Sequence, residues 1–243
     1  MKIQERFISQ NDYELLKKIY PDNLEEIIQK INNNYPIQYL IGYVDFYGYK
    51  INVDPRVLIP RYETEGLVDE IIKLVKPIKN LHILEVGTGS GCIAISLAKE
   101  LNTTVDTIDI SKGAIEVASN NAALNQADVN FQLGDIKTCE IKKKYNLLVS
   151  NPPYVRYDEE VDEATKYEPQ NALFASNNGL EFYEVILKRS KEFLATQSII
   201  AFEIGATQGQ EITNIARNLY PKATIYVKKD LSNRDRYLFI INK

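Results

Sequence analysis

One histidine, His82, is all the imidazole that 243 residues carry. Ser-His-Asp hydrolysis or a multi-histidine metal centre would have to be built around that one side chain. His82 opens a strand, far from the carboxyl end where ligands gather, so its expected role is structural. Cys92 and Cys139 are too few for a disulfide framework and lack the C-x-x-C spacing of a zinc site. No metal is expected, and a reducing cytoplasm is the expected compartment. No run of 18 apolar residues occurs, and the opening MKIQERFISQNDYELL lacks a long apolar stretch. Neither a membrane span nor a secretory leader is expected. Positive charge is not in excess either. The 29 Lys and Arg stand against 33 Asp and Glu, and the net charge of −4 argues against a large non-specific nucleic-acid surface.

What is present describes a globular chain, 44% hydrophobic and 26% charged. Its length suits one large domain, or a domain of about 180–200 residues with a small module. Residues 11–33 space Leu15, Leu16, Ile19, Leu24, Ile27, Ile28 and Ile31 at helical intervals, with Pro21-Asp22 dividing two short helices. Residues 39–53, rich in Tyr, Ile and Val around Gly48, read as a β-hairpin. An amphipathic helix follows over 63–75.

From residue 81 strands alternate with helices. Strands are expected at 81–86, 103–110, 129–133, 145–150, 197–204, 223–229 and 235–241. Helices are expected at 92–101, 111–124, 179–194 and 208–220, with Ser111 as an N-cap. Such alternation implies an α/β fold with a mostly parallel sheet of seven strands. The loop at Ser232-Asn233 is too short for a parallel crossover, so the last strand should run antiparallel.

Two motifs carry chemistry. In the first, Glu85-Val-Gly87-Thr88-Gly89-Ser90-Gly91 leaves a strand and enters a helix. Glycines let the backbone turn sharply and approach a ligand, and Asp109 at the end of the next strand is placed to accept from ribose hydroxyls. Glu85 would repel a pyrophosphate but suits an amino acid or a sulfonium, which favours S-adenosylmethionine over a dinucleotide. Gly134-Asp135-Ile136 adds a carboxylate for an adenine amino group and an apolar neighbour for its ring.

The second motif, Asn151-Pro152-Pro153-Tyr154, ends the fourth strand and faces that loop across the carboxyl edge of the sheet. The prolines fix the backbone and remove N–H donors from a site that needs acceptors. The Asn151 side-chain oxygen and the Pro152 carbonyl can accept both hydrogens of a planar –NH2 group, and Tyr154 can stack on its π-system. Positioning contributes roughly 7–11 kcal/mol in favourable cases, and aligned acceptors stabilise developing positive charge. No general base, metal or covalent intermediate is required. The acceptor is then an exocyclic nitrogen of adenine or cytosine, or a glutamine side-chain amide, and the motif alone does not separate them. Five carboxylates at Asp158, Glu159, Glu160, Asp162 and Glu163 follow closely and tilt the choice toward a protein.

With these residues assembled, the chain resembles the peptide chain release factor glutamine methyltransferases (the PrmC/HemK family). The likeness runs from Pro36 onward through PIQYLIGYVDFYG, VLIPRYETEGLVD, ILEVGTGSGCIAISLA, VSNPPYV, YEPQNALFA with GLEFY, and FEIGATQGQ. The segment from Arg61 to Glu65 is its most discriminating part. The resemblance implies a class I S-adenosylmethionine-dependent methyltransferase, Rossmann-like, acting on the glutamine of the Gly-Gly-Gln loop in class I release factors. An adenine amino group and a ribosomal-protein glutamine are the alternatives. It implies that Glu85, Gly87, Thr88, Gly89, Ser90, Gly91, Asp109, Ile110, Asp135, Ile136 and Asn151 hold the cofactor. Asn151, Pro152, Pro153, Tyr154, Arg61 and Glu63 would meet the substrate, with Asn151, Pro152 and Tyr154 carrying the catalysis. It also implies a monomer with no direct nucleic-acid contact. The expected organisation is a helical module over 1–35 that is shorter than the family usually carries, a hairpin linker over 36–60 and a methyltransferase domain over 61–243. Tyr62 stands where the family often has proline.

Overall fold

The structure, a computed structural model, describes residues 8–242; positions 1–7 of the expected helical module, and Lys243, lie outside the described residues. Helices α1 (Gln10–Ile19) and α2 (Leu24–Asn32) form on either side of Pro21-Asp22, as the spacing predicts. Ser9 caps α1 by accepting from the Asp12 N–H. The next element differs from expectation. Residues 37–41 are a short helix, α3 (Ile37–Ile41), and the hairpin begins only after it. Pro36 opens that turn, and Gly42, at φ +88°, closes it with its N–H donating to the Gln38 carbonyl at 2.8 Å. Strands β1 (Tyr43–Phe46) and β2 (Tyr49–Asn52) then pair antiparallel. Tyr47 and Gly48 form the turn with positive φ at both, which matches the twist of a tight hairpin.

Helix α4 (Tyr62–Val75) precedes the main sheet. The sheet takes β3 (Ile83–Val86), β4 (Val105–Asp109), β5 (Val129–Leu133), β6 (Tyr145–Ser150), β7 (Leu194–Glu203), β8 (Thr224–Lys229) and β9 (Asp235–Asn242). Their spatial order is β5-β4-β3-β6-β7-β9-β8, with β9 antiparallel to both neighbours and the other pairings parallel. Helices α5 (Cys92–Leu101), α6 (Lys112–Leu124), α8 (Glu181–Phe193) and α9 (Gly209–Leu219) connect them, with a short turn α7 (Ser176–Gly179) before α8. Ser111 caps α6 as expected. Strand β7 starts three positions earlier than its sequence suggests. Leu194 already pairs with Tyr145, and the exposed Thr196 and Gln197 hide that start.

The strand order reverses between β3 and β6, and this is where an open α/β sheet leaves a crevice beyond its strand ends. One core cluster packs α4, α5 and α6 on one face of the sheet, and it also takes in Phe46, Ile51 and Val53 of the hairpin. A second packs α8 and α9 on the other face. The N-terminal helices keep a small cluster of their own, Leu16, Ile27, Ile31 and Leu40.

Gly66 lets α4 lie close to β9. A Cβ added there would stand 2.1 Å from the Tyr237 hydroxyl, which donates to the Glu63 carbonyl at 2.7 Å. Gly66→Ala should therefore lower stability by about 1–3 kcal/mol, the cost typical of overpacking. Adding Tyr237→Phe should restore part of the loss in thermal denaturation, because the closest atom is gone.

Candidate functional site

A cavity of about 260 Å³ opens at the strand-order reversal. The glycine loop between β3 and α5, the ends of β4 and β6, the segment before α4 and the first part of α8 wall it. Among the residues singled out in the sequence, Arg61, Glu85, Gly87, Thr88, Gly89, Ser90, Asp109, Ile110, Asp135, Ile136, Asn151, Pro152 and Pro153 line it. Gly91 and Tyr154 stand behind that lining, and Glu63 is exposed on the first turn of α4. Gly91, at φ +84°, caps α5 and packs against Ala118. The Tyr154 side chain leans on the core beneath α8, and burial followed by the Glu203 carboxylate pushes its phenol up to about 12. Its carbonyl accepts from Gln208 Nε2 at 3.0 Å.

The glycine loop is held from two sides. Asp109 Oδ2 accepts from the Gly89 N–H at 2.9 Å, and its Oδ1 accepts from the Ser111 N–H at 2.8 Å. Burial raises the Asp109 carboxyl above its usual range, and those backbone donors oppose the shift. Asn121, fully buried on α6, donates to the carbonyls of Ser90 and Asn52 at 2.9 Å each and accepts from the Asn52 N–H. One amide thus joins the hairpin to the loop. Gly87 sits at φ +80° with open space where a Cβ would be, so backbone conformation, not crowding, calls for glycine there.

Glu85 is buried at the cavity wall, and neither its Oε2 nor Thr88 Oγ1 has a hydrogen-bond partner among the described residues. Burial first, then the Asp109 carboxylate, raise Glu85 well above the usual range. An orphaned acid and an orphaned hydroxyl in one cavity wall fit the ammonium end of an amino acid. Asp109 and Asp135, with Ile110, Ile136 and Phe182, offer carboxylates and apolar surface that fit a nucleoside. The chemistry of the donor set therefore fits S-adenosylmethionine. Cys92 also touches the cavity, but burial and Glu85 push its thiol up to about 12, so it stays protonated.

Three residues that the sequence did not mark hold Asn151 and Arg61 in place. Ser150 pairs with Phe202 in the sheet, so Asn151 and Glu203 come side by side at neighbouring strand ends. Asn151 Nδ2 donates to Thr64 Oγ1 at 3.3 Å, and the Thr64 hydroxyl donates to Glu203 Oε2 at 2.6 Å. The carboxamide oxygen is then left as the acceptor. Glu168, 4% exposed, accepts from Arg61 at 2.5 Å and from the Ile59 N–H at 3.0 Å, fixing the segment before α4. Thr64 and Glu203 both lie inside segments that carry the family resemblance, and so does Glu168. That was the available signal.

The acidic run is less free than its letters suggest. Asp158 pairs with Arg156 at 2.6 Å, Asp162 accepts from the Ala164 N–H, and Glu163 accepts from Asn34 at 2.8 Å. Tyr167 also donates to the Asn33 carbonyl, so this loop is docked on the N-terminal helices.

Burial raises Glu203 to about 7, with Glu63 adding to the shift and Thr64, Arg236 and Asn151 opposing it. The native protein therefore holds a proton that the unfolded chain gives up above about pH 4.5. Stability should fall as pH rises from about 4.5 through 7, by on the order of 3 kcal/mol. Glu203→Gln should remove that slope, which denaturation midpoints measured from pH 5 to 8 would reveal.

A family model described as a methyltransferase small domain matches residues 66–177. The release factor glutamine methyltransferase of Lactococcus lactis subsp. lactis is 40% identical over 221 residues, covering 89% of this chain and 81% of that protein. The release factor glutamine methyltransferase of Bacillus cereus is 35% identical over 248 residues, covering 98% and 88%. Among solved structures, a ribosomal protein L11 methylase from Lactobacillus delbrueckii subsp. bulgaricus shares the fold. It has a TM-score of 0.57 and 22% identity, over 79% of this chain and 83% of that one.

Proposed function

This chain belongs to the release factor glutamine methyltransferase family, and from that premise we propose how its own residues carry the reaction. The protein is an S-adenosylmethionine-dependent methyltransferase that modifies the side-chain amide nitrogen of a release-factor glutamine. The acceptor is the glutamine of the Gly-Gly-Gln loop in class I release factors. The observation that carries this reading is the Asn151 oxygen, left as an acceptor in the cavity wall one strand over from Glu85.

When bound, the cofactor supplies an electrophilic methyl on a sulfonium. Glu85 and Thr88 take its ammonium end, Asp109 its ribose hydroxyls, and Asp135 and Ile136 its adenine. Gly87, Gly89, Ser90, Gly91 and Ile110 shape the walls between them. Asn151 Oδ1 and the Pro152 carbonyl accept the two amide hydrogens of the substrate. This holds the nitrogen at one orientation and stabilises the positive charge that grows on it, before the surplus proton passes to solvent. Pro153 keeps the backbone rigid, and Tyr154 closes the acceptor site from the core side. Arg61, fixed by Glu168, and Glu63 meet the peptide around the glutamine.

The same reading divides the chain into a helical module over 1–35, a hairpin linker over 36–60 and a catalytic domain over 61–243. The small core of the helices also takes in Leu40 of α3, so its packing runs past the first boundary into the linker. It takes the protein to be monomeric and cytoplasmic, with no nucleic-acid or membrane partner. Among the described residues no helix is long and apolar enough to cross a membrane. The test is transfer from labelled S-adenosylmethionine to a release factor, ribosomal proteins and DNA in separate reactions. Label on the release factor that disappears when its Gly-Gly-Gln glutamine is replaced supports the reading; label on adenine overturns it.

A further inference from the structure

Asn151 can serve as an acceptor only while its carboxamide keeps one of two faces toward the cavity. An amide flips by half a turn at little cost unless its neighbours discriminate oxygen from nitrogen, and a flipped Asn151 would point N–H groups at the N–H groups of the substrate. The neighbours here do discriminate. Glu203 and Thr64 are buried beside it, from the end of β7 and the first turn of α4. A carboxylate only accepts, so the Thr64 hydroxyl must donate to it, and the Thr64 lone pairs then receive the Asn151 Nδ2–H. The polarity of the chain runs one way, from amide to hydroxyl to acid.

We infer that Thr64 and Glu203 are positioning residues for methyl transfer, holding the Asn151 carboxamide with its oxygen toward the acceptor nitrogen. This inference rests on the glutamine-methylation reading and adds a control to it. Protonating Glu203 reverses the chain. The acid can then donate to Thr64 Oγ1, the freed hydroxyl seeks an acceptor, and the flipped amide supplies one. Several groups face Glu203 and set its proton affinity. They are Glu63 on α4, Arg236 and Tyr237 on β9, Tyr154 after β6, Tyr183 on α8 and Cys92 on α5. Arg236 makes its own ion pair with Asp230 at 3.2 Å, and Tyr183 donates to the Glu203 carbonyl rather than to its carboxylate.

Two measurements test this on the full chain. In the first, Thr64→Val should lower kcat for a release factor by about 10–100-fold, the usual range for a residue that orients a reacting group. Thr64→Ser should return it to near the parent value, and affinity for S-adenosylhomocysteine should hold in both, which also reports that they fold. Parent kcat in Thr64→Val overturns the proposal. The second needs no methyl acceptor. The Asn151 side-chain amide, ¹⁵N-labelled and assigned by its loss in Asn151→Asp, should shift with a midpoint near pH 7. In Glu203→Gln that titration should vanish. An amide resonance indifferent to pH in the parent, or one that still titrates in Glu203→Gln, overturns the inference. A titrating amide in a protein that fails to methylate any release factor would instead sink the substrate reading and leave the positioning chain standing.

Discussion

Asn151→Ala should abolish nearly all methyl transfer while leaving the cofactor bound. Alanine removes the acceptor that the amide hydrogens need and leaves Glu85, Thr88 and Asp109 in place around the glycine loop. Loss of one preorganised hydrogen-bonding group at a site of developing charge costs about 100–1,000-fold in turnover. Because the group acts on the transferring state, kcat and kcat/KM should fall together. The Thr64 hydroxyl keeps its bond to Glu203, so the fold should survive. Calorimetric titration with S-adenosylhomocysteine, set beside a transfer assay, checks both halves. Equal loss of binding and turnover would contradict the division of labour between Asn151 and the cofactor residues.

The opposite pattern is expected at Asp109. Its carboxylate serves the site and the scaffold at once, lining the cavity while accepting from Gly89 and Ser111. Asp109→Ala should weaken cofactor affinity by roughly 100-fold, the equivalent of one or two hydrogen bonds to a charged group. Turnover at saturating cofactor should change far less. Asp109→Asn, which keeps one acceptor oxygen, should fall between the parent and alanine. A cofactor affinity unchanged in Asp109→Ala would remove ribose recognition from this residue.

Local patterns made much of the fold readable. Each of the seven strands has its own apolar run, and the short Ser232-Asn233 loop forced the antiparallel last strand that β9 forms. The glycine loop and the Asn-Pro-Pro-Tyr turn could be read because their chemistry lies in consecutive residues. Helix α3 was not readable: five residues are too few to show a 3.6 period, and Tyr-Leu-Ile there favours a strand on composition. Thr64 and Glu203 were missed for another reason. They are 139 positions apart and become partners only through the strand order. Glu168 and Arg61, 107 positions apart, are the same case. The acidic run shows the converse limit, since letters display charge but not the Arg156 and Asn34 that engage it.

The small, separate core of the N-terminal helices has a mechanical consequence. Four buried side chains, Leu16, Ile27, Ile31 and Leu40, hold a unit that shares little with the sheet, and such units open at a lower free energy than the globule they rest on. Yet Tyr167 and Glu163 tether that unit to the loop whose next residue, Glu168, grips Arg61 and Ile59. Hydrogen exchange should therefore find the helices and the loop from Glu163 to Glu168 less protected than the cofactor loop, which Asn121 and Asp109 clamp. The acceptor rim and the cofactor loop thus rest on different supports, the first on a small helical core and the second on the sheet and α6.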